Sequence, residues 1–312
     1  MRPTKAADQP VMLKPGLSGA GLHRKASWST LLLLSPFLVL YAVFVLVPLL
    51  GLIVKSFSTA NSLEFEIFRL PALLTTKWTL QNYVEVLGSA YYQQALVETV
   101  VISGAAVLLS TAAGIPLAYL VTRKDFRWRK VVRWVVSLPI YVPAVVTCYA
   151  LLVFFGSYGL LNLALNSLFG FTLQIAFTRT AVILGTFALI LPTYVRVVAS
   201  AFQRVETSIE EASMSLGATE VGTFRRILLP LAVPDILAAV ILTFTYSMGL
   251  VVVAMVIGGG ARVRILPAEI LDNIQSLGAN IPKAAAMSVV LLVVALAGQF
   301  LSMLLLRSRE AK

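Results

Sequence analysis

Few residues in this 312-residue sequence have the chemistry of catalysis or metal binding. The one cysteine, Cys148, lies in an apolar run, and the one histidine, His23, lies in a polar N-terminal stretch. One cysteine makes no intramolecular disulfide, and a zinc site needs about three or four clustered ligands. No Ser/His/Asp or Cys/His set can be assembled from these residues, and no GxxxxGK[ST] phosphate loop occurs. If ATP drives this protein, another chain hydrolyses it, and this chain is expected to hold no cofactor or metal and not to be an enzyme.

Charges inside apolar segments are the next candidates, because an ionisable group at membrane depth marks a functional site by default. Glu98 lies near one end of an apolar run, either as a path residue for a polycation or as an interfacial carboxylate facing water. Asp235 lies one turn into a later run, where a carboxylate complements the helix dipole, and capping is the simpler role. Arg196 can snorkel to an interface. Tyr246 and Met248, with Tyr149, are candidates for lining a pathway, against the commoner fate of buried helix packing. Glu98, Tyr246 and Met248 are carried forward as substrate-path candidates.

The most informative stretch is ETSIEEASMSLGATEVGTFRRILLP, residues 206–230. Bundle connections usually take about 2–8 residues, so a polar loop of this length has a purpose of its own. Helix formers fill its first half, and Ser208 with Glu211 fits the S-x-x-E capping box. Gly217 then stops or bends the helix, since glycine adopts a left-handed backbone at little cost. Thr219 or Glu220 starts a second helix running to Pro230. The expected product is a helix–turn–helix element with an apolar side (Ile209, Ala212, Leu216, Val221, Phe224). Its chemistry is docking, by helix anchors set into a partner's groove.

The elements that position this loop are apolar. Hydrophobic residues make up 59% of the chain and charged residues 12%, against about 25% charged in soluble domains. Much of the surface must therefore face lipid. With about 20 apolar residues needed per crossing, six spans are expected. They are Trp28–Val54, Ala95–Val121, Val131–Phe155, Thr180–Phe202, Leu231–Ile257 and Ala284–Leu306. The first is too long for the core of a signal peptide. Prolines within the spans are tolerable where neighbouring helices satisfy the freed backbone groups. Residues 1–27 read as a disordered basic tail, and residues 28–312 as one transmembrane domain.

The net charge of +11 is arranged for a membrane rather than for nucleic acid. Lysines and arginines gather in short stretches between spans. Eighteen of the 25 fall on the side that carries both termini and the 206–230 loop, which the positive-inside rule assigns to the cytoplasm. On the other side, residues 56–94 hold an aromatic cluster (Trp78, Tyr83, Tyr91, Tyr92) suited to an interface. Residues 156–178 are apolar but broken by glycines and asparagines, which favours a short surface helix over a seventh span. Gly258, Gly259 and Gly260 form either a mobile external gate or a turn after the fifth span.

The 206–230 loop resembles the signature of ABC importer permeases: EAA, three residues, Gly, nine residues, then Ile-x-Leu-Pro. Here Glu211, Ala212 and Ser213 match EAA, followed by Gly217 and then Ile227, Leu229 and Pro230, with Ser213 the single departure. The resemblance extends to span number, to TLQNYVEVL (Thr79–Leu87) and to the glycine-rich stretch Met248–Ile270. It is strongest to polyamine (spermidine/putrescine) importer permeases, with related branches carrying phosphonates, thiamine, iron, sulfate or molybdate.

The resemblance implies an all-α, six-span, type I importer permease in a bacterial cytoplasmic membrane, both termini inside. Glu211 would contact the ATPase, Gly217 would make the bend, and Ala212 and Ser213 would allow close approach. The implied partners are a second permease chain, a different sister subunit, and two ATPases that hold ATP and magnesium. An external solute-binding protein completes the set. The solute, a polyamine by this likeness, would pass by alternating access. External acids (Glu64, Glu66, Glu85, Glu269, Asp272) are compatible with a cation. The rival readings are a secondary transporter or channel, which should show mid-span ionisable residues or inverted repeats, and a membrane enzyme, which would need interfacial catalytic groups.

Overall fold

The computed structural model describes residues 28–61, 77–276 and 278–310. The expected tail 1–27, with His23, and the acids Glu64 and Glu66 lie outside the described residues. The chain divides into two compact units, one ending at Leu49 and the other beginning at Leu50. The described residues are helical, with a single isolated antiparallel bridge between Ser58 and Trp78.

Helix α1 (Trp28–Tyr41), in the first unit, passes through a π-helical turn, Ala42–Leu46, into α2 (Val47–Ser56), most of which belongs to the second. The Val47 N–H reaches the Ala42 carbonyl five residues back, and Pro48 follows. The same local device recurs in the second unit, where the Leu229 N–H bonds the Phe224 carbonyl just ahead of Pro230. A proline has no N–H to give and its ring collides with the carbonyl four residues earlier. Widening one turn relieves both problems and lets the helix continue. The proline of the Ile-x-Leu-Pro pattern therefore has a structural consequence of its own.

The second unit continues with α3 (Gln81–Gly88), α4 (Ala90–Arg123), α5 (Arg129–Tyr141), α6 (Ala144–Phe155) and α7 (Leu160–Phe169). Then come α8 (Arg179–Arg204), α9 (Thr207–Ser215), α10 (Glu220–Thr223) and α11 (Leu229–Met248). The last are α12 (Val251–Val256), α13 (Leu266–Gln275) and α14 (Ile281–Glu310). Six helical segments among the described residues are long and apolar enough to cross a membrane: Leu33–Ser56, Ala90–Arg123, Ala144–Phe169, Arg179–Arg204, Glu220–Met248 and Ile281–Phe300.

Two expected boundaries change. The stretch Val131–Phe155 is two helices, because Pro143 disfavours helical backbone at the residue before it, and Val142 is extended at φ −99°, ψ 130°. Helix α5 packs along α8 and α4, while α6 packs against α12 and α8. The apolar crossing by composition begins only at Ala144. The fifth span starts earlier than expected, since α10, the π-helical turn and α11 are continuous from Glu220, and it breaks at Gly249–Leu250 before α12. Residues 156–178 do carry a short helix, α7. Its Asn162 is only 2% exposed. The Asn162 amide donates to the Gly156 and Leu173 carbonyls and accepts from the Leu173 N–H, pinning the segment to itself.

The core runs where α4, α8 and α11 meet, around Ala118, Tyr194, Val198, Phe202, Leu228 and Ala232. Small residues allow this contact: a Cβ on Gly114 of α4 would lie 2.5 Å from the Tyr194 ring. In lipid, helix association depends on such close packing rather than on a hydrophobic drive. Helix α4 has 34 residues and α8 has 26. They carry the 206–230 loop at one end and the Thr178 and Gly258–Arg264 segments at the other.

Candidate functional site

The loop folds as α9, a bend and α10. Helix α9 begins at Thr207 with Glu206 as its cap, so Ser208 lies inside the first turn and donates to the Glu206 carboxylate at 3.2 Å. The expected Ser208–Glu211 capping box is absent, because a box needs its serine at the cap position itself. Gly217 has φ +89° with nothing near its missing Cβ, so the bend requires only a backbone that L-residues resist. Thr219 caps α10, its hydroxyl accepting from the Gly222 N–H.

The two adjacent glutamates divide the work. Glu210 is turned inward to Arg123 at the end of α4, with 2.8 Å between Nε and the carboxylate and only 12% and 13% of the two side chains exposed. Arg123 also donates through Nη2 to the Phe202 and Val205 carbonyls at the end of α8, each at 2.6 Å. Carbonyls at a helix C-terminus lack internal partners, and a cation there also complements the dipole. Arg123 thus joins three elements: α4, α8 and the loop. Lys124 pairs with Glu220 of α10, and this contact holds its ammonium pKa above the ordinary value. Ser213 and Thr223 hydroxyls bond across the bend at 3.0 Å.

Glu211, one residue on and about 100° around the helix, is exposed together with Ala212. Leu216 is 91% exposed, and Ile209, Met214 and Val221 are also open. In the Ile-x-Leu-Pro segment the fully buried residue is Leu228, while Ile227 and Leu229 are half-buried and Pro230 is exposed. Phe224 is half-buried against the rings of Tyr119 and Phe202. The loop is therefore held from within and presents an apolar and acidic face outward.

At the opposite end of α4 and α8 lies a polar cavity of about 460 Å³. Glu98 opens onto it and pairs with Arg179 at 2.9 Å. Arg262 and Arg264 also line it, lying over the rings of Phe177 and Tyr91 at 5.6 and 4.5 Å. The Tyr91 hydroxyl donates to buried Glu269 at 2.9 Å. Gly259 and Gly260 adopt left-handed backbone in the turn after α12, which the Phe177 N–H ties to the Ile257 carbonyl at 3.0 Å.

Of the path candidates, Glu98 lies at this cavity and is ion-paired rather than facing water alone. Tyr246 is exposed on α11, away from it. Met248 is 2% exposed, buried in the chain's own packing. Asp235 does not cap a helix start: the helix begins at Glu220, and Asp235 pairs with Arg204 across to α8 at 2.5 Å. Arg196 lines a second cavity, about 270 Å³, with Arg133 and Gln203. Sequence reasoning used Arg123, Arg262 and Arg264 only for orientation. Their spacing from Glu210, Phe177 and Tyr91 along the chain held no signal of contact.

No group of three or more metal-ligating side chains occurs among the described residues. Residues 110–309 match the family described as the binding-protein-dependent transport system inner membrane component. The spermidine/putrescine transport system permease protein PotB of Haemophilus influenzae is 29% identical over 252 residues, 80% of this chain and 84% of that protein. The molybdenum transport system permease protein ModB of Escherichia coli is 34% identical over 156 residues, half of this chain and 67% of that one. Among solved structures, a bacterial ABC transporter importing the acidic polysaccharide alginate shares the fold, with TM-score 0.70 at 20% identity over 89% of this chain and 96% of that one. The MetNI methionine ABC transporter aligns with TM-score 0.54 at 22% identity, over 70% of this chain and 98% of that one. These relatives are transport subunits rather than enzymes, and the chain is a multi-pass, all-α membrane protein with the fold of ABC importer permeases. It belongs to the family of binding-protein-dependent transport system inner membrane components.

Proposed function

We propose that this chain is a translocating subunit of an ATP-driven importer and that residues 206–230 couple it to the ATPase. The observation that carries the reading is the two-sided loop: Glu210 held inward by Arg123, Glu211 and Leu216 left outward. In this reading a partner ATPase, which holds ATP and magnesium, receives Glu211, Leu216 and Val221 in a surface groove. Its closure moves α9, and Arg123 passes the displacement to α4 and α8. Those helices reach the far end of the unit, so alternating access follows from tilting them together. A second permease, a sister chain, completes the path, and an external binding protein delivers the solute. The membrane is the bacterial cytoplasmic membrane, with both termini and the loop inside, as the distribution of basic residues supports.

Carried over from the PotB relatives, the solute would be a polyamine. One observation favours a second reading, a small anion: the outer cavity has three guanidiniums to one carboxylate. Of the outer acids proposed for a cation, Glu85 is paired with Lys283 and Glu269 is buried.

The coupling role is tested by mild-detergent purification of the tagged chain from its own membranes. The expected result is co-purification of a P-loop ATPase and a second permease, with the ATPase lost from a Glu211→Arg, Gly217→Pro variant. Absence of any ATPase, under conditions that keep known transporter complexes intact, would replace this reading with an ATP-independent transporter.

A further inference from the structure

The outer cavity has features of a site built before its ligand arrives. Arg179, Arg262 and Arg264 line it, and Glu98 is the one carboxylate among the lining residues. Glu98 is taken by Arg179, and neither Arg262 nor Arg264 forms an ion pair among the described residues. Each of these two guanidiniums lies over an aromatic ring instead, Arg262 over Phe177 and Arg264 over Tyr91. A ring supplies no oxygen acceptor, so the N–H donors of the fork stay available to match a carboxylate or oxyanion.

The support under Arg262 is itself held in place. Phe177 is the one non-glycine residue with positive φ, +62°, among the described residues. Strain of this kind persists only where surroundings over-determine it, and it gathers at functional sites. Here the Phe177 N–H is bonded to the Ile257 carbonyl, and the ring lies so near Gly259 that a Cβ there would approach it to 2.8 Å. The N-terminus of the 26-residue helix α8, at Thr178 and Arg179, also borders the cavity and adds its positive field. The volume, about 460 Å³, falls within the roughly 300–1,000 Å³ of small-molecule sites. A concave site of that size suits a solute better than the flat face of a docked protein.

We infer that this cavity takes up the anionic group, a carboxylate or tetrahedral oxyanion, of the solute this permease carries. The inference rests on the importer reading, which places the cavity on the side where solute is delivered. Arg262 and Arg264 grip the anion by their edges, and Arg179 with Glu98 closes one wall. A polycation would meet like charge there.

The test uses the full complex purified in mild detergent and equilibrium binding of three labelled anions, phosphate, sulfate and succinate, beside labelled spermidine. At least one anion is expected to bind saturably and to lose tenfold or more in affinity with Arg262→Ala or Arg264→Ala. Arg262→Lys should recover part of it, since the charge remains while the planar fork is lost. Spermidine should not compete. The inference is overturned if no anion binds, if binding is unchanged in the variants, or if spermidine binds and is lost with Glu98→Gln. It is also overturned if the variants weaken only the hold on the binding protein, which would make the cavity a docking surface. Co-purification of the ATPase, followed in the same preparations, reports separately on the importer reading.

Discussion

At the end that carries the 206–230 loop, Arg123 gives Nη2 to two carbonyls and is ion-paired through Nε with Glu210, and little of it is exposed. At the far end, Arg262 and Arg264 lie on aromatic rings with no carboxylate partner among the described residues. The same side chain closes structure at one end and is left receptive at the other. The deciding variable is what meets the guanidinium edge. Two carbonyls and a carboxylate meet it at Arg123, whereas a ring supplies no oxygen acceptor to Arg262 or Arg264.

The largest expected effect breaks this contrast at Arg123. Arg123→Ala strands Glu210 and two carbonyls, and loss of one partner of a buried pair costs about 3 kcal/mol or more. A clear drop in thermal stability in detergent should accompany loss of the ATPase. Arg262→Ala should leave stability nearly unchanged, within about 0.5 kcal/mol, so equal losses from both would remove the distinction.

Next in size are the left-handed glycines of the two ends. Gly259→Ala adds both backbone strain and a contact with the Phe177 ring, together about 2–3 kcal/mol. Gly217→Ala meets open space and should cost only the backbone share, about 1 kcal/mol. Measured unfolding of the two variants in that order sharpens the contrast; the reverse order contradicts it.

The smallest effect is a pH dependence at the outer side. The hydrogen bond from Lys283, and then its charge, hold the Glu85 carboxyl below its ordinary value of 4.5. A depressed carboxylate stabilises fully above that ordinary value, and the contribution fades as pH falls through the lower folded value. Because the pair is partly exposed, the loss on acidification is at most about 1 kcal/mol. It should vanish in Glu85→Gln, as melting curves between pH 6 and the acid range would record.

How legible the molecule was depends on which interactions are local. Membrane segments could be read because about 20 consecutive apolar residues are a property of the chain itself. The bend at Gly217 and the cap at Thr219 were legible for the same reason, since both are set within a few residues. The break at Val142–Pro143 and the π-helical turn before Pro230 come from the same residue type. Whether a proline ends a helix or only widens it depends on what packs around it, so the third span was read as continuous.

The sequence by itself determined an all-α membrane protein with a polar, bent loop between two apolar helices, because hydropathy, turn residues and motif spacing act at short range. Only the tertiary structure decided which of Glu210 and Glu211 faces inward, since α9 must be laid against Arg123 before its faces differ. It alone buried Met248 and Leu228, paired Asp235 with Arg204, and gathered Arg179, Arg262 and Arg264 around one cavity. Those arginines come from chain segments more than eighty residues apart. Charge proximity over such separations is created by helix packing, and nothing in local composition encodes it.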